Sequence, residues 1–321
     1  MKKLITALLL LLGFSLAAQQ ISNLKPVKHK YYADLPSASG VELYQNKIYL
    51  VADDLPWLFE LNDNWQVINK YQISGITKTE NGRTPKKIKA DFEAMALLKS
   101  ENEDYMLILS SGSKKVTRDT AWLFSLKTKT TAFKKNLRPW YDAVKRQAGI
   151  TAGDEINIEG VAIGNGNIYV VHRGNVSGNF IAVSSLKNFL SYFKGKTALP
   201  PEVKIYQFTL PSQKGVTAGL SGACTLPGNN GLIITASLEA TGDVINDGTV
   251  LGSYLGYIPF GEMNKGTVNL TVINDANGKI LAKKQEGVVL INTVKNSYSL
   301  LTVCDNDDGS SDIYQFTLTI K

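Results

Sequence analysis

The sequence is poor in the two residues that most often build metal and redox centres, with two cysteines and two histidines among 321 residues. Cys224 and Cys304 belong to no C-x-x-C pair, which excludes a zinc or dithiol motif. Both lie in apolar runs, so a disulfide and two buried thiols both remain open. His29 and His172 are too few for a multi-histidine metal site, and no G-x-S-x-G nucleophile motif is present.

Long apolar runs are also absent after the first twenty residues, which excludes a later membrane-spanning helix. The N-terminal segment has two lysines, a short apolar stretch and small residues that include Ala17 and Ala18. This pattern predicts a secretory signal peptide over residues 1–18, with an uncleaved anchor as the alternative. No cysteine lies near the cleavage site, so no lipid anchor is expected. We predict a secreted or periplasmic protein with a single domain over residues 19–321.

Acidic residues are fewer than basic ones, 28 against 35, and the formal net charge is +7. The lysines are scattered, and no long basic run alternates with aromatic residues, which argues against a nucleic-acid partner. A basic surface favours a small anionic ligand or a protein partner. We expect no organic cofactor and a monomeric protein.

A short signature recurs through the chain and divides it into repeats. It reads Ser or Glu, then Gly or Ala, then an apolar residue, and its copies are roughly 50–65 residues apart. Each copy is followed by further short runs rich in β-branched and aromatic residues, which predict strands. The five copies begin at Ser39, Glu93, Glu159, Ser221 and Glu286.

Four short strands per repeat are typical of a β-propeller, an all-β fold. Five signatures predict five blades. Six remain open if residues 136–154 hide a degenerate blade, and two stacked β-sandwiches are the structural alternative. The last repeat has room for three strands, so we predict that a strand near residues 29–33 completes it and closes the ring. Pro139 is expected to begin a short helix that carries Trp140.

The repeat predicts where polar residues meet. In an antiparallel pair the start of the first strand lies beside the end of the second, so both should meet around the channel mouth. There we predict a ligand-binding site formed by Asp53, Asp54, Lys89, Arg173, Asn175 and Glu239. Candidate catalytic residues on the same face are His172, Arg173 and Arg118.

Three of the five signature copies begin with a glutamate, so three carboxyl groups should lie near one another at the channel mouth. They should repel one another unless a cation or protons intervene. Ca²⁺ suits such a site because it takes six to eight oxygen ligands. The alternative is that the glutamates cap backbone amides or pair with Lys and Arg, and that the Asp-rich stretch near residue 305 is only a hairpin loop. The predicted metal ligands are Glu93, Glu159, Glu286, Asp305 and Asp307.

The segments SGVE, KADFEAMALL, INIEGVAI and DNDDGSSDIYQFTL resemble a known group of proteins. They are similar to secreted bacterial propellers related to the phytase-like, or "esterase-like activity of phytase", group and to the SdiA-regulated propellers. Glu159-Gly160 and Glu286-Gly287 match the Glu-Gly signature of that group, and Glu93-Ala94 departs from it by having Ala for Gly.

Two functional hypotheses follow. The first is a non-catalytic propeller that binds a ligand or protein at the channel mouth, and it rests on the scarcity of histidine and the lack of a nucleophile motif. The second is a calcium-supported hydrolase of phosphate or carboxylic esters, which the resemblance and the acidic residues beside arginines imply. We favour the first.

Overall fold

The chain forms five antiparallel sheets of four strands each within residues 20–151, 153–174, 177–240 and 248–321, which are the residues that the structure describes. The structure is a computed structural model. Each sheet is one blade of a propeller. The predicted signal peptide, residues 1–18, lies outside the described residues.

The first strands follow the predicted repeat closely. The chain begins with β1 (Ile21–Tyr32), which belongs to the last blade. Blade 1 consists of β2 (Ala38–Tyr44), β3 (Lys47–Ala52), β4 (Trp57–Leu61) and β5 (Val67–Gln72). Blade 2 consists of β6 (Phe92–Leu98), β7 (Tyr105–Ser110), β8 (Thr120–Ser125) and β9 (Thr130–Asn136).

One helix and a small hairpin lie between the later blades, and a second helix lies within blade 3. Helix α1 (Arg138–Ala148) precedes blade 3, which consists of β10 (Ile158–Gly164), β11 (Asn167–His172), β12 (Asn179–Ser185) and, after helix α2 (Leu186–Phe193), β13 (Lys204–Phe208). A hairpin of β14 (Ser212–Gln213) and β15 (Val216–Thr217) then leads to blade 4.

Blades 4 and 5 have the longest strands. Blade 4 consists of β16 (Gly219–Thr225), β17 (Gly231–Ala240), β18 (Thr249–Pro259) and β19 (Asn269–Val272), with short 3-10 helices at Pro227–Asn229 and Phe260–Lys265. Blade 5 consists of β20 (Lys284–Val294), β21 (Ser297–Asp305), β22 (Ser311–Ile320) and β1.

The second strands of the blades are apolar throughout, and their sequences do not alternate between apolar and polar residues. In β3, β7 and β11 every residue after the first is buried. Both faces of these strands are covered because each blade packs between two neighbours, as stacked repeats require. The outer strands β5 and β9 are mostly exposed and carry the polar residues.

The five inner strands form a closed ring around the channel. Each of β2, β6, β10 and β16 contacts the next inner strand, and β20 contacts β2. The signature glycines permit this approach. A Cβ atom on Gly160 would lie 2.8 Å from Gly222 Cα, and one on Gly222 would lie 2.3 Å from the Glu286 carbonyl oxygen. A side chain larger than hydrogen would therefore collide with the neighbouring inner strand at Gly160 and Gly222, whereas the equivalent position of blade 2 holds Ala94.

An N-terminal strand closes the ring, as predicted. Strand β1 pairs antiparallel with β22 over its whole length. Gln20 and Lys321 also exchange two backbone hydrogen bonds of 2.8 Å. The prediction of five blades is confirmed, and the alternatives of six blades and of two sandwiches are not found in the described residues.

One predicted helix is confirmed, and another element escaped prediction. Helix α1 has Pro139 in its first turn, and its Trp140 and Tyr141 are buried. Helix α2 was not predicted. Ser185 caps it by accepting the backbone N–H of Asn188, and its aromatic residues pack into the same core cluster as α1.

Cys224 and Cys304 are both free and buried, so the disulfide alternative is not realised. They lie in one apolar cluster, where burial raises the pKa of each thiol above its usual value. No helix in the described part of the chain is long and apolar enough to cross a bilayer.

Candidate functional site

Each inner strand departs from regular pairing at the signature residue. The register with the second strand shifts at Ser39, Glu93, Glu159 and Ser221, and across the pair Glu286-Gly287. Such a β-bulge inserts an unpaired residue and re-aims its side chain. The signature is thus a bulge repeated around the channel, and the sequence periodicity reports it.

The bulges surround a polar cavity of about 110 Å³ at the end of the channel where the inner strands begin. The predicted convergence of first-strand starts with second-strand ends is seen in the pairs Ile158↔His172 and Phe92↔Ser110. Four signature residues line the cavity, whereas the Ser221 hydroxyl donates to the Gln285 carbonyl oxygen instead. The charged side chains that line it are Asp53, Arg83, Lys86, Lys89, Asp91, Glu93, Arg118, Glu159, Lys284, Glu286, Asp305 and Asp307.

One group of carboxylates lies between blades 1 and 2. An oxygen of each of Asp53, Asp91 and Glu93 lies within 4.8 Å of the other two. The Lys89 ammonium nitrogen is 2.5 Å from Asp53 Oδ2 and 2.8 Å from Asp91 Oδ1. Arg118 donates to Asp91 Oδ2 at 3.1 Å. The two aspartates therefore have basic partners in contact, and Glu93 does not among the ion pairs of the described residues.

A second group lies between blades 3, 4 and 5 and is centred on Arg173. Its guanidinium is 2.7 Å from Glu239, 3.8 Å from Glu159 and 3.9 Å from Glu286. Lys284 lies 3.2 Å from Glu286 and 3.8 Å from Glu239. Arg173, Glu159, Glu239 and Glu286 are all buried, so this is an ion-pair network away from solvent.

The glutamates on the bulges are costly to ionise. Burial raises the pKa of Glu93 well above its usual range, and Asp91 and Glu159 raise it further. Burial also raises the pKa of Glu286 well above its usual range, although Lys284 opposes this shift. The pKa of Glu159 is raised by burial and held down in part by Arg173. Like charges in a poorly hydrated cavity favour protonation or a bound cation.

The cavity has a deficit of positive charge. Its lining has seven acidic and five basic side chains, in a protein whose net charge is +7. Two buried acceptor atoms, Asp53 Oδ1 and Glu286 Oε2, have no hydrogen-bond partner among the described residues. The Glu286 side chain is only 4 % exposed. Buried polar atoms in native proteins normally have partners, so these atoms indicate an unmet ligand or ion.

Most of the predicted site residues are brought together, and some lie beside the cavity. All five predicted metal ligands line it, as do Asp53, Lys89 and Arg118. Arg173 and Glu239 lie behind it in the buried network. Asp54 instead forms an ion pair with Arg83, and burial raises the pKa of Asp54 to about 6.

Of the two remaining predicted site residues, the structure describes His172 but not Asn175. The His172 ring stacks on Phe180 at 4.3 Å, accepts the backbone N–H of Asn157 and contacts Ser177 Oγ at 3.0 Å. Burial lowers its pKa to about 3, so the ring is neutral at neutral pH. Asn175 lies outside the described residues. The catalytic and ligand-binding roles of these residues stay predictions.

Sequence reasoning missed several lining residues. Asp91 and Lys284 each precede a signature glutamate by two positions, and Asn157 precedes Glu159 by two. A polar or charged residue two positions before the signature was the sequence feature that could have identified them. Asn157 Nδ2 donates to Glu159 Oε1 at 2.6 Å, which fixes the orientation of that carboxyl group.

The fold and the site define a five-bladed β-propeller with a charged cavity at one channel mouth. Residues 34–318 match the family DUF6929, a family of unknown function, and the chain belongs to that family. No curated protein sequence matches the chain significantly.

Solved structures resemble the fold at low identity. The crystal structure of Myxococcus xanthus glutaminyl cyclase is 11% identical, covers 93% of this chain and 97% of its own, and has a TM-score of 0.51. A protein of unknown function from Bacteroides caccae is 12% identical, with 81% of this chain and 66% of its own covered and a TM-score of 0.37. A GH43 endo-arabinanase from Bacillus licheniformis is 13% identical, with 90% of this chain and 93% of its own covered and a TM-score of 0.41. The glutaminyl cyclase supports the propeller fold and nothing about activity.

Proposed function

We propose that this propeller is a binding protein that holds a hard divalent cation, with Ca²⁺ as the first choice, in the channel-mouth cavity. The observation that carries the proposal is the excess of carboxyl groups that line this cavity, seven against five basic groups. Two of the buried acceptor oxygens have no partner among the described residues. A cation would satisfy both the charge and the orphaned acceptors.

The spacing of the ligands suits calcium. Oxygen ligands of Ca²⁺ lie about 2.3–2.6 Å from the ion, so two of them are at most about 5 Å apart. The oxygens of Asp53, Asp91 and Glu93 lie within 4.8 Å of one another. Lys89 supplies a positive charge to the two aspartates, so we place the ion nearest Glu93, whose carboxyl group has Asp53, Asp91 and Glu159 as acidic neighbours.

A bound ion would also explain how an acidic cavity takes an anionic ligand. Ca²⁺ takes six to eight oxygen ligands, and coordination positions that the carboxylates leave open are available to oxygens of a phosphate or carboxylate. The basic side chains Lys86 and Arg118 line the same cavity. Export through the predicted signal peptide would suit this site, since extracellular modules bind calcium with dissociation constants of about 10⁻⁴–10⁻³ M.

The test is thermal unfolding with calcium and with chelator, in wild type and in Glu93→Gln. An ion that binds only the folded state adds about 2.7 kcal/mol at a hundredfold excess over its dissociation constant. We expect a calcium-dependent rise in Tm for the wild type that is smaller or lost in Glu93→Gln. The control Glu202→Gln changes an exposed glutamate and should keep the full shift. No calcium shift in the wild type, or equal shifts in all three proteins, rules the proposal out.

Ester hydrolysis is the second candidate, and it would use the same ion. The geometry favours it less, because burial lowers the pKa of His172 to about 3 and so makes its ring a weak general base. The hydroxyls of Ser111 and Ser113 both contact Asp91 rather than a histidine. A relation to the phytase-like and SdiA-regulated propellers remains a hypothesis. Phosphoester turnover that depends on calcium and is lost in Glu93→Gln would favour the hydrolase, and calcium binding without turnover would favour the binding protein.

A further inference from the structure

The other end of the channel carries a second, chemically different cavity. Its volume is about 410 Å³, and it is formed by the far ends of the same inner strands. Between the two cavities the channel narrows at the signature glycines to a space of about 10 Å³. That space holds no more than about one water molecule, so the two cavities are separate. The apolar side chains at the second cavity include Leu43, Leu97, Leu98, Ile163, Leu186, Val289 and Leu290.

A single carboxyl group, that of Glu42, lies in this apolar wall. Glu42 Oε1 accepts the backbone N–H of Leu97 at 3.1 Å, and Oε2 accepts that of Leu43 at 3.3 Å. No Lys, Arg or His in the described part of the chain forms an ion pair with it within 4.0 Å. The other ionisable groups that line the cavity are Lys99, which is exposed, and the buried thiol of Cys224.

The surroundings of Glu42 destabilise its ionised form. Burial raises the pKa of Glu42 to about 7, against the lowering effect of the two backbone hydrogen bonds and of Lys99. An ionised carboxylate has about four lone-pair sites, and two of them are used here. The group thus retains acceptor capacity and lacks a cation in contact, at the edge of a cavity within the usual ligand range of about 300–1,000 Å³.

We infer that this second cavity binds an apolar primary amine, whose ammonium group contacts the Glu42 carboxylate while its hydrocarbon part packs on the apolar wall. A carboxylic acid would meet a like charge, and a neutral ligand would leave the carboxylate without a counter-charge. The inference does not depend on the calcium site, because different residues carry it.

Isothermal titration calorimetry with hexylammonium and its neutral analogue 1-hexanol tests this inference on the full chain. At about pH 8 we expect hexylammonium to bind at least about tenfold more tightly than hexanol. Glu42→Gln should remove that difference, while Glu101→Gln, an exposed glutamate outside the cavity, should keep it. Equal affinity for the two probes, or an unchanged preference in Glu42→Gln, overturns the proposal.

Two further measurements locate the ligand. An ammonium contact stabilises the ionised carboxylate, so binding should release protons and weaken from about pH 8 to about pH 6. Burial keeps the Cys224 thiol protonated over that range, and Glu42 carries the one carboxyl group among the residues that line the cavity. Leu290→Trp fills the cavity and should weaken both probes. If amine binding is independent of pH or unaffected by Leu290→Trp, the ligand is not in this cavity and the inference fails.

Discussion

The two mouths of the channel are built by the same five inner strands and have opposite chemistry. Where the strands begin, each strand has a bulge at its signature residue, and four of these five residues line a cavity formed almost entirely by charged and polar groups. Where they end, the cavity is lined mainly by leucine, isoleucine and valine. A local irregularity of the backbone, repeated in every inner strand, thus separates a charged site from an apolar one over the length of one strand.

The two mouths also differ in how charge is balanced. At the charged mouth, the carboxylates that line the cavity outnumber the basic groups, and the buried ones share partners such as Arg173 and Lys284. At the apolar mouth, Glu42 has no ion-pair partner among the described residues. Mutations at corresponding places should therefore have unequal effects.

Arg173→Met should have the largest effect. It leaves Glu159, Glu239 and Glu286 without their shared guanidinium, and removal of one partner from a buried ion pair costs about 3–5 kcal/mol. Lys99→Met removes an exposed lysine at the apolar mouth and should change stability by less than about 0.5 kcal/mol. Urea unfolding of the two variants measures the contrast. Similar losses of stability in both variants would mean that the two mouths do not differ in how their charges are balanced.

Gly222→Ala should have the next largest effect, because it acts on the constriction between the mouths. A Cβ atom there would lie 2.3 Å from the Glu286 carbonyl oxygen, and overpacking of this kind typically costs about 1–3 kcal/mol. Gly75→Ala is the matched control, since nothing lies within 4 Å of its added Cβ. Melting temperatures of both variants decide the point. An unchanged Tm in Gly222→Ala would show that the inner strands can move apart.

His172→Gln should have the smallest effect at neutral pH, and its effect should depend on pH. The folded-state pKa of about 3 lies below the unfolded value near 6.5, so the wild type loses stability as pH falls from about 6.5 toward 3. The slope from this group is at most about 1.4 kcal/mol per pH unit. The variant lacks this loss, so its deficit relative to wild type should shrink on acidification, as measured by urea unfolding at several pH values. A constant deficit would contradict the burial of a neutral ring.

The architecture was largely predictable because repetition amplifies weak local signals. Five copies of the signature predicted the blades, and the short last repeat predicted that β1 completes it. Helix α2 escaped because only eight residues form it and its aromatic residues, such as Phe189 and Phe193, also suit strands. Its stability comes from packing on blades 2 and 3, which a local pattern does not report.

The composition of the charged cavity was predictable in part. The repeat phase placed Glu93, Glu159 and Glu286 together, since equivalent positions of successive blades meet at the channel. It did not reveal that Arg173 is shared by glutamates from three blades, because that depends on side-chain direction at the bulges. Glu42 was missed entirely, since a single glutamate in a strand end has no distinctive pattern.

The pairing of β1 with β22 has a consequence for how the protein folds. The Ser22 hydroxyl donates to the Thr319 carbonyl oxygen across 297 positions of sequence. Hairpins within blades 1–4 join near neighbours and can form early, whereas closing so long a loop is entropically costly and slow. Strand β1 must therefore wait for β22 to be synthesised, with its edge unpaired in the meantime. We expect ring closure to be the slowest phase of refolding, and the intermediate before it to be the species most prone to aggregate.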